Sequence, residues 1–118
     1  EPEKITFNAM DEALLKRAMA IVEKNMDNIE FSTDEFAREM NMSRSNLHLK
    51  LKAITGESTI DFIRKIRFNE AAKLLKDGRY TVAEVSTMVG FNTPSYFATS
   101  FKKYFGCLPT EYIKKSKG

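Results

Sequence analysis

Residues 40–56 read MNMSRSNLHLKLKAITG and residues 89–106 read VGFNTPSYFATSFKKYFG. At an offset of 50, Ser45, Leu47, Leu51, Lys52, Ile54 and Gly56 meet Ser95, Phe97, Phe101, Lys102, Tyr104 and Gly106, and beyond them Phe62 and Ile63 meet Tyr112 and Ile113. Upstream of the turns the offset becomes 49, pairing Ala37 with Ser86, Met40 with Val89, Asn41 with Gly90 and Met42 with Phe91. The second copy therefore carries one extra turn residue. Each copy reads as a short helix, a tight turn and a longer helix with outward polar and basic positions. That layout places a second helix in a DNA major groove.

Punctuation around the repeat supports a helical reading throughout. No Pro lies between residues 3 and 93, and the internal glycines at 56, 78, 90 and 106 each follow or interrupt a stretch of helical spacing. Strand-like alternation is absent. The expected fold is all-α, with about seven helices and two helix-turn-helix subdomains joined by a long linker helix. Asn8 caps a first helix whose stripe is Leu14, Ala18, Ile21 and Val22 and which ends near Asn28. Ser32 or Thr33 caps the next, with Phe36, Ala37 and Met40 inward. Ser43 opens the helix closed by Gly56. Ser58 with Asp61 opens the long one, where Phe62, Ile63, Ile66, Ala71, Leu74 and Leu75 face inward. Thr81 with Glu84 resembles a capping box, Pro94 sits in a first turn, and Pro109 starts the last helix. All six methionines are read as core fillers.

The 118 residues, 42% hydrophobic, suit one compact domain with a real core. No apolar run approaches the roughly 20 residues needed to span a bilayer, and the opening residues are not expected to act as a secretory leader. Cys107 and His48 are the only Cys and His, so no zinc site of four such ligands can be assembled. No metal and no cofactor is expected. A nucleophile needs an activating base, and neither that nor a Gly-rich phosphate loop is evident, so the chain is not expected to be an enzyme. The lone Cys fits a reducing, cytoplasmic setting. Residue 1 is Glu, so the chain is expected to be part of something longer.

Charge is unevenly spread along the chain. Residues 1–42 carry 5 Lys and Arg against 10 Asp and Glu, a net of −5, whereas residues 43–118 carry 14 against 6, a net of +8. A basic stretch behind an acidic front points to a polyanion at one surface. On a helical wheel, Leu47, Leu51 and Ile54 mark one buried side and leave Ser45, His48, Leu49 and Lys52 outward. In the second copy Phe97, Phe101, Tyr104 and Phe105 are inward, and Ser95, Ala98, Thr99 and Lys102 outward. Hydroxyls, imidazole and small apolar groups meet base edges and thymine methyls, while Arg44, Lys52, Lys102 and Lys103 suit phosphates. The helix starts at Ser43 and at Asn92 or Thr93 offer backbone amides to phosphate oxygens. Lys50 points back with a snorkelling stem, and Lys114, Lys115 and Lys117 form a solvated run.

With FIRKIRFNEAAKLLKDG at 62–78 between the two copies, and Pro109 and Tyr112 after them, the chain resembles the AraC/XylS-type transcription regulators. The first unit looks most like the C-terminal output domain of hybrid two-component regulators. The resemblance implies residues 1–7 as a linker from a missing upstream region and 8–118 as the DNA-binding domain. Within it fall a first helix-turn-helix at 32–56, a linker helix at 58–77, a second helix-turn-helix at 81–106 and a final helix at 109–115. It carries base reading onto Ser45, His48 and Leu49, and onto Pro94, Ser95, Ala98 and Thr99. Leu49 stands where relatives often have Arg, Thr59 where they often have Pro, and Leu108 replaces a hydroxyl cap before Pro109. Sequence-specific binding of double-stranded DNA by a regulator's output domain, an activator's as the resemblance implies, is the expected function. The implied partners are double-stranded DNA, RNA polymerase and an upstream receiver or sensor domain, with dimerisation through missing regions and no membrane contact. The alternative is a helical protein-interaction module docking a partner through the acidic first helix. A linker helix over Thr59–Asp77 would be about 28 Å long, close to the roughly 34 Å between successive major-groove turns.

Overall fold

The computed structural model describes residues 8–117; the expected linker at 1–7 lies outside the described residues. Among them are seven helices and no strand: α1 (Ala9–Lys24), α2 (Thr33–Glu39), α3 (Arg44–Thr55), α4 (Thr59–Asp77), α5 (Val82–Met88), α6 (Pro94–Phe105) and α7 (Pro109–Lys117). They divide into two compact units, the first from residues 8–25 and 31–64, the second from residues 26–30 and 65–117. The first part of α4 thus belongs to one unit and the remainder to the other.

In the first unit, α1 opens with the Asn8 side chain accepting from the Asp11 amide at 2.8 Å. It packs on α2, and its Ala18, Ile21 and Val22 are buried. α1 ends at Lys24 rather than near Asn28. Asn25 stops it, because its amide bonds to the Ile21 and Val22 carbonyls and its side chain donates to the Ile21 carbonyl at 2.9 Å. Glu39 at the end of α2 then receives Lys24 at 3.2 Å and Asn25 at 3.5 Å, tying the two helices at the surface. Ser32, not Thr33, is the cap of α2. The core beneath collects Phe31, Phe36, Met40, Leu47, Leu51, Ile54 and Phe62, with Phe36 stacked on Phe62 at 6.0 Å between centroids. Met10 and Met19 are corrected from core fillers to surface residues, 80% and 40% exposed, since they lie off the Ala18–Val22 stripe.

The second unit is built on aromatic rings. Phe68, Ala71, Leu75, Val85, Val89, Phe91, Phe97 and Phe101 form its core, with Leu74, Tyr80, Tyr112 and Ile113 packed on the margin. Fully burying a ring such as Phe97 or Phe101 contributes about 1.5–3 kcal/mol, so this cluster is the main reason α5, α6 and α7 hold together. Tyr104 departs from expectation. It is 43% exposed, because its ring stacks on Phe68 at 4.9 Å from the edge of the cluster, and Phe105 is only half-buried. α7 starts at Pro109, where the Glu111 carboxylate accepts from the Leu108 amide at 2.9 Å and takes over the role of a hydroxyl cap.

The repeat is visible in the backbone of each unit. The Met42 amide donates to the Ala37 carbonyl at 3.0 Å, and the Phe91 amide donates to the Ser86 carbonyl at 2.9 Å. Between each pair the chain passes through a left-handed residue, Asn41 at φ +58° and Gly90 at φ +81°. Asn tolerates that region through its short polar side chain. Gly90 is held to glycine by space as well: a Cβ there would lie 2.7 Å from the Met26 carbonyl oxygen and 2.8 Å from the Arg67 guanidinium carbon.

Candidate nucleic-acid interface

α3 is set by two local signals. The Ser43 hydroxyl accepts from the Asn46 amide at 3.1 Å, and Gly56 closes the helix with its amide on the Lys52 carbonyl at 2.9 Å. α6 repeats both, with Thr93, rather than Asn92, accepting from the Tyr96 amide at 3.1 Å and Gly106 donating to the Lys102 carbonyl at 2.7 Å. Leu47 and Leu51, like Phe97 and Phe101, anchor one side of each helix in its unit's core. The opposite side is thereby forced outward.

On α3 that outward side carries Ser43, Arg44, Ser45, His48, Leu49 and Lys52, all exposed, Leu49 at 64%. Arg44 is engaged in the isolated chain by Asp34 at 3.2 Å. Both partners are largely solvated, and such a pair is worth about 0–1 kcal/mol, so a phosphate can replace the carboxylate at little cost. On α6 and its approach, Asn92, Thr93, Pro94, Ser95, Thr99, Lys102 and Lys103 are exposed. Ala98 is half-buried instead of fully outward, because it lies one helical turn from the buried Phe101 and has only a methyl to extend. The Thr99 hydroxyl donates to the Ser95 carbonyl at 3.0 Å, which leaves its oxygen lone pairs and methyl outward. Lys50 is exposed.

The two helix starts differ in what they offer an anion. After the cap is made, helix geometry leaves the first-turn amides of Arg44 and Ser45 without an intrahelical partner on α3. On α6 only Ser95 has such an amide, since Pro94 lacks an N–H. The start of α3 therefore exposes one more first-turn amide than the start of α6.

Sequence reading passed over Asn46 and Tyr96, which occupy equivalent exposed positions in the third place of α3 and α6; Tyr96 is 53% exposed. The offset of 50 already pairs them. It also passed over Arg67, which is 8% exposed. Burial lowers the Arg67 pKa from its ordinary value, with the nearby Asp27 carboxylate opposing that shift. Its guanidinium donates to the Asn28 carbonyl at 2.9 Å and to the Gly90 carbonyl at 3.3 Å. Among the described residues no group of Cys, His, Asp or Glu could hold a metal ion, and no helix is long and apolar enough to cross a membrane.

Two capped, glycine-closed helices, each following a short helix and a left-handed turn, define a tandem helix-turn-helix protein. A family model described as a helix-turn-helix domain matches residues 36–115. "Histidine kinase P4" of Formosa agariphila is 40% identical over 94% of this chain, which spans 8% of that protein. The "HTH-type transcriptional activator RhaR" of Mannheimia succiniciproducens is 31% identical over 70% of this chain and 30% of its own length. Among solved structures, the C-terminal domain of AraT, a response regulator from Geobacillus stearothermophilus, superposes with a TM-score of 0.80 at 30% identity, covering 86% of this chain and 84% of that one. The chain belongs to the helix-turn-helix domain family, in its AraC/XylS form.

Proposed function

We propose that this chain is the sequence-specific, double-stranded DNA-binding output domain of a transcription regulator, acting as an activator. The observation that carries it is the duplicated exposed face: α3 and α6 present hydroxyls and a lysine at matching positions, Ser45 with Lys52 and Ser95 with Lys102. Lysines and helix-start amides bind phosphate and fix register, while the side chains between them read base edges. In this reading Ser45, His48 and Leu49 read one major-groove segment and Pro94, Ser95, Ala98 and Thr99 read the adjacent one. Arg44, Lys52, Lys102 and Lys103, with the starts at Ser43, Asn92 and Thr93, hold the backbone. His48 can donate or accept at a base edge, whereas Ala98 and Thr99 offer a methyl and a hydroxyl, so the first unit carries more of the discrimination.

The domain in this proposal spans residues 8–118 and works in the cytoplasm, with RNA polymerase and an upstream receiver or sensor as partners. The names of the histidine kinase and the response regulator among its relatives support an upstream signalling part, and that of RhaR supports activation. A mobility shift on sheared genomic DNA at two salt concentrations tests the function. Binding that weakens steeply with salt is expected. Absence of salt-sensitive binding would overturn it and leave a protein-docking role for acidic α1.

A further inference from the structure

The second helix-turn-helix has a buried arginine at its turn, whereas beside the first turn the exposed Arg17 guanidinium donates to the Glu39 carbonyl at 3.3 Å. In the first copy the turn residue Asn41 is exposed. In the second, the turn at Gly90 is buried, and its carbonyl accepts from the Arg67 guanidinium, whose other terminal nitrogen donates to Asn28. Three separated stretches of the second unit, residues 26–30, α4 and the α5–α6 turn, therefore meet at one cation. Gly90 has no side chain to hold this turn, and any Cβ would strike the guanidinium and the Met26 carbonyl. At Gly90 itself the turn is held through its backbone, while its neighbours Val89 and Phe91 are held by the core. Phe91, next along, enters the core, and Thr93 caps α6 only three residues after Gly90, so a displaced Gly90 carries the start of α6 with it.

We propose that Arg67 is the positioning residue of the second helix-turn-helix: its forked grip on the Gly90 and Asn28 carbonyls sets the angle at which α6 presents Ser95 and Thr99. The proposal rests on the reading of α6 as a DNA-contacting helix. It makes sequence discrimination at one half-site depend on a residue that touches no DNA. The fork matters as much as the charge. A planar guanidinium can bond two carbonyls in fixed directions, whereas a lysine ammonium is a single point at the end of a flexible stem.

The variants are Arg67→Lys, which keeps charge and stem, and the harsher Arg67→Met, which removes both guanidinium bonds to the Asn28 and Gly90 carbonyls. Folding is followed by circular dichroism, and amide exchange is measured at Phe91 and Tyr96, whose hydrogen bonds to Ser86 and Thr93 close the turn and cap α6. In Arg67→Lys, exchange at both amides is expected to speed by about tenfold relative to that of Leu47 in α3. Binding selection should then lose information at the α6 half-site while the α3 half-site is unchanged. A folded Arg67→Lys chain with unaltered exchange at Phe91 and Tyr96 overturns the proposal, whether or not DNA binding is found. Altered exchange with both half-sites equally read overturns the link to specificity. Should neither variant fold, measurement moves to the unsubstituted chain: the Arg67 guanidinium protons should exchange as slowly as the Phe91 amide, and fast exchange there overturns the proposal. DNA binding absent from the unsubstituted chain, with slowed turn exchange intact, counts against the functional reading and not against the grip.

Discussion

Ser86 holds a buried hydroxyl, 1% exposed, with no hydrogen-bond partner among the described residues, at the position where the first copy has Ala37. Burying an unpaired hydroxyl costs free energy that a methyl does not. Ser86→Ala is expected to stabilise the second unit by about 1 kcal/mol, read as a higher denaturant midpoint with unchanged slope. A lowered midpoint would show that the hydroxyl is used. On the exposed side the relevant residues are Lys52 and Lys102. If each neutralises a phosphate, Lys52→Ala and Lys102→Ala should weaken binding to all sequences alike and reduce the salt slope by about 1 apiece. A changed base preference with an undiminished slope would count against that role.

At the scale of elements, helix starts were legible because a cap is a local bond between residues three apart. Thr81 and Glu84 form the reciprocal capping box that their spacing suggests, with bonds of 3.0 and 2.8 Å. Thr81→Ala should cost about 1 kcal/mol in thermal or denaturant unfolding, and a cost near zero would mean that α5 is held by its core contacts alone. Endings and margins were less legible. The stop of α1 depends on Asn25 reaching both back to Ile21 and across to Glu39, and the second of those bonds is invisible in the order of residues. Tyr104 carries the same apolar signal as Ile54, yet Ile54 is buried and Tyr104 lies half out, because a larger ring at the rim of an already filled aromatic cluster stacks on Phe68 instead of entering. Arg67 was unreadable for a stronger reason. An arginine in a helix looks like a surface residue until folding brings the carbonyls of Asn28 and Gly90 to it.

For the molecule as a whole, the duplicated pattern and its two left-handed turns carried the fold, since a repeat with matched glycines constrains many residues at once. The candidate face was legible where the wheel was clear, at Ser45, Leu49, Lys52, Ser95, Thr99 and Lys102. It was less so at Ala98, whose methyl is too short to clear the core margin, and at Asn46 and Tyr96. In the proposed function one chain engages two adjacent major-groove segments through α3 and α6. The most direct test is a hydroxyl-radical footprint of this chain, as a monomer, on a site obtained by binding selection. Two protected patches about 10 bp apart on one face of the duplex are predicted, both fading as salt rises. A single patch that Ser95→Ala with Thr99→Ala leaves untouched, or protection indifferent to salt, would contradict the account.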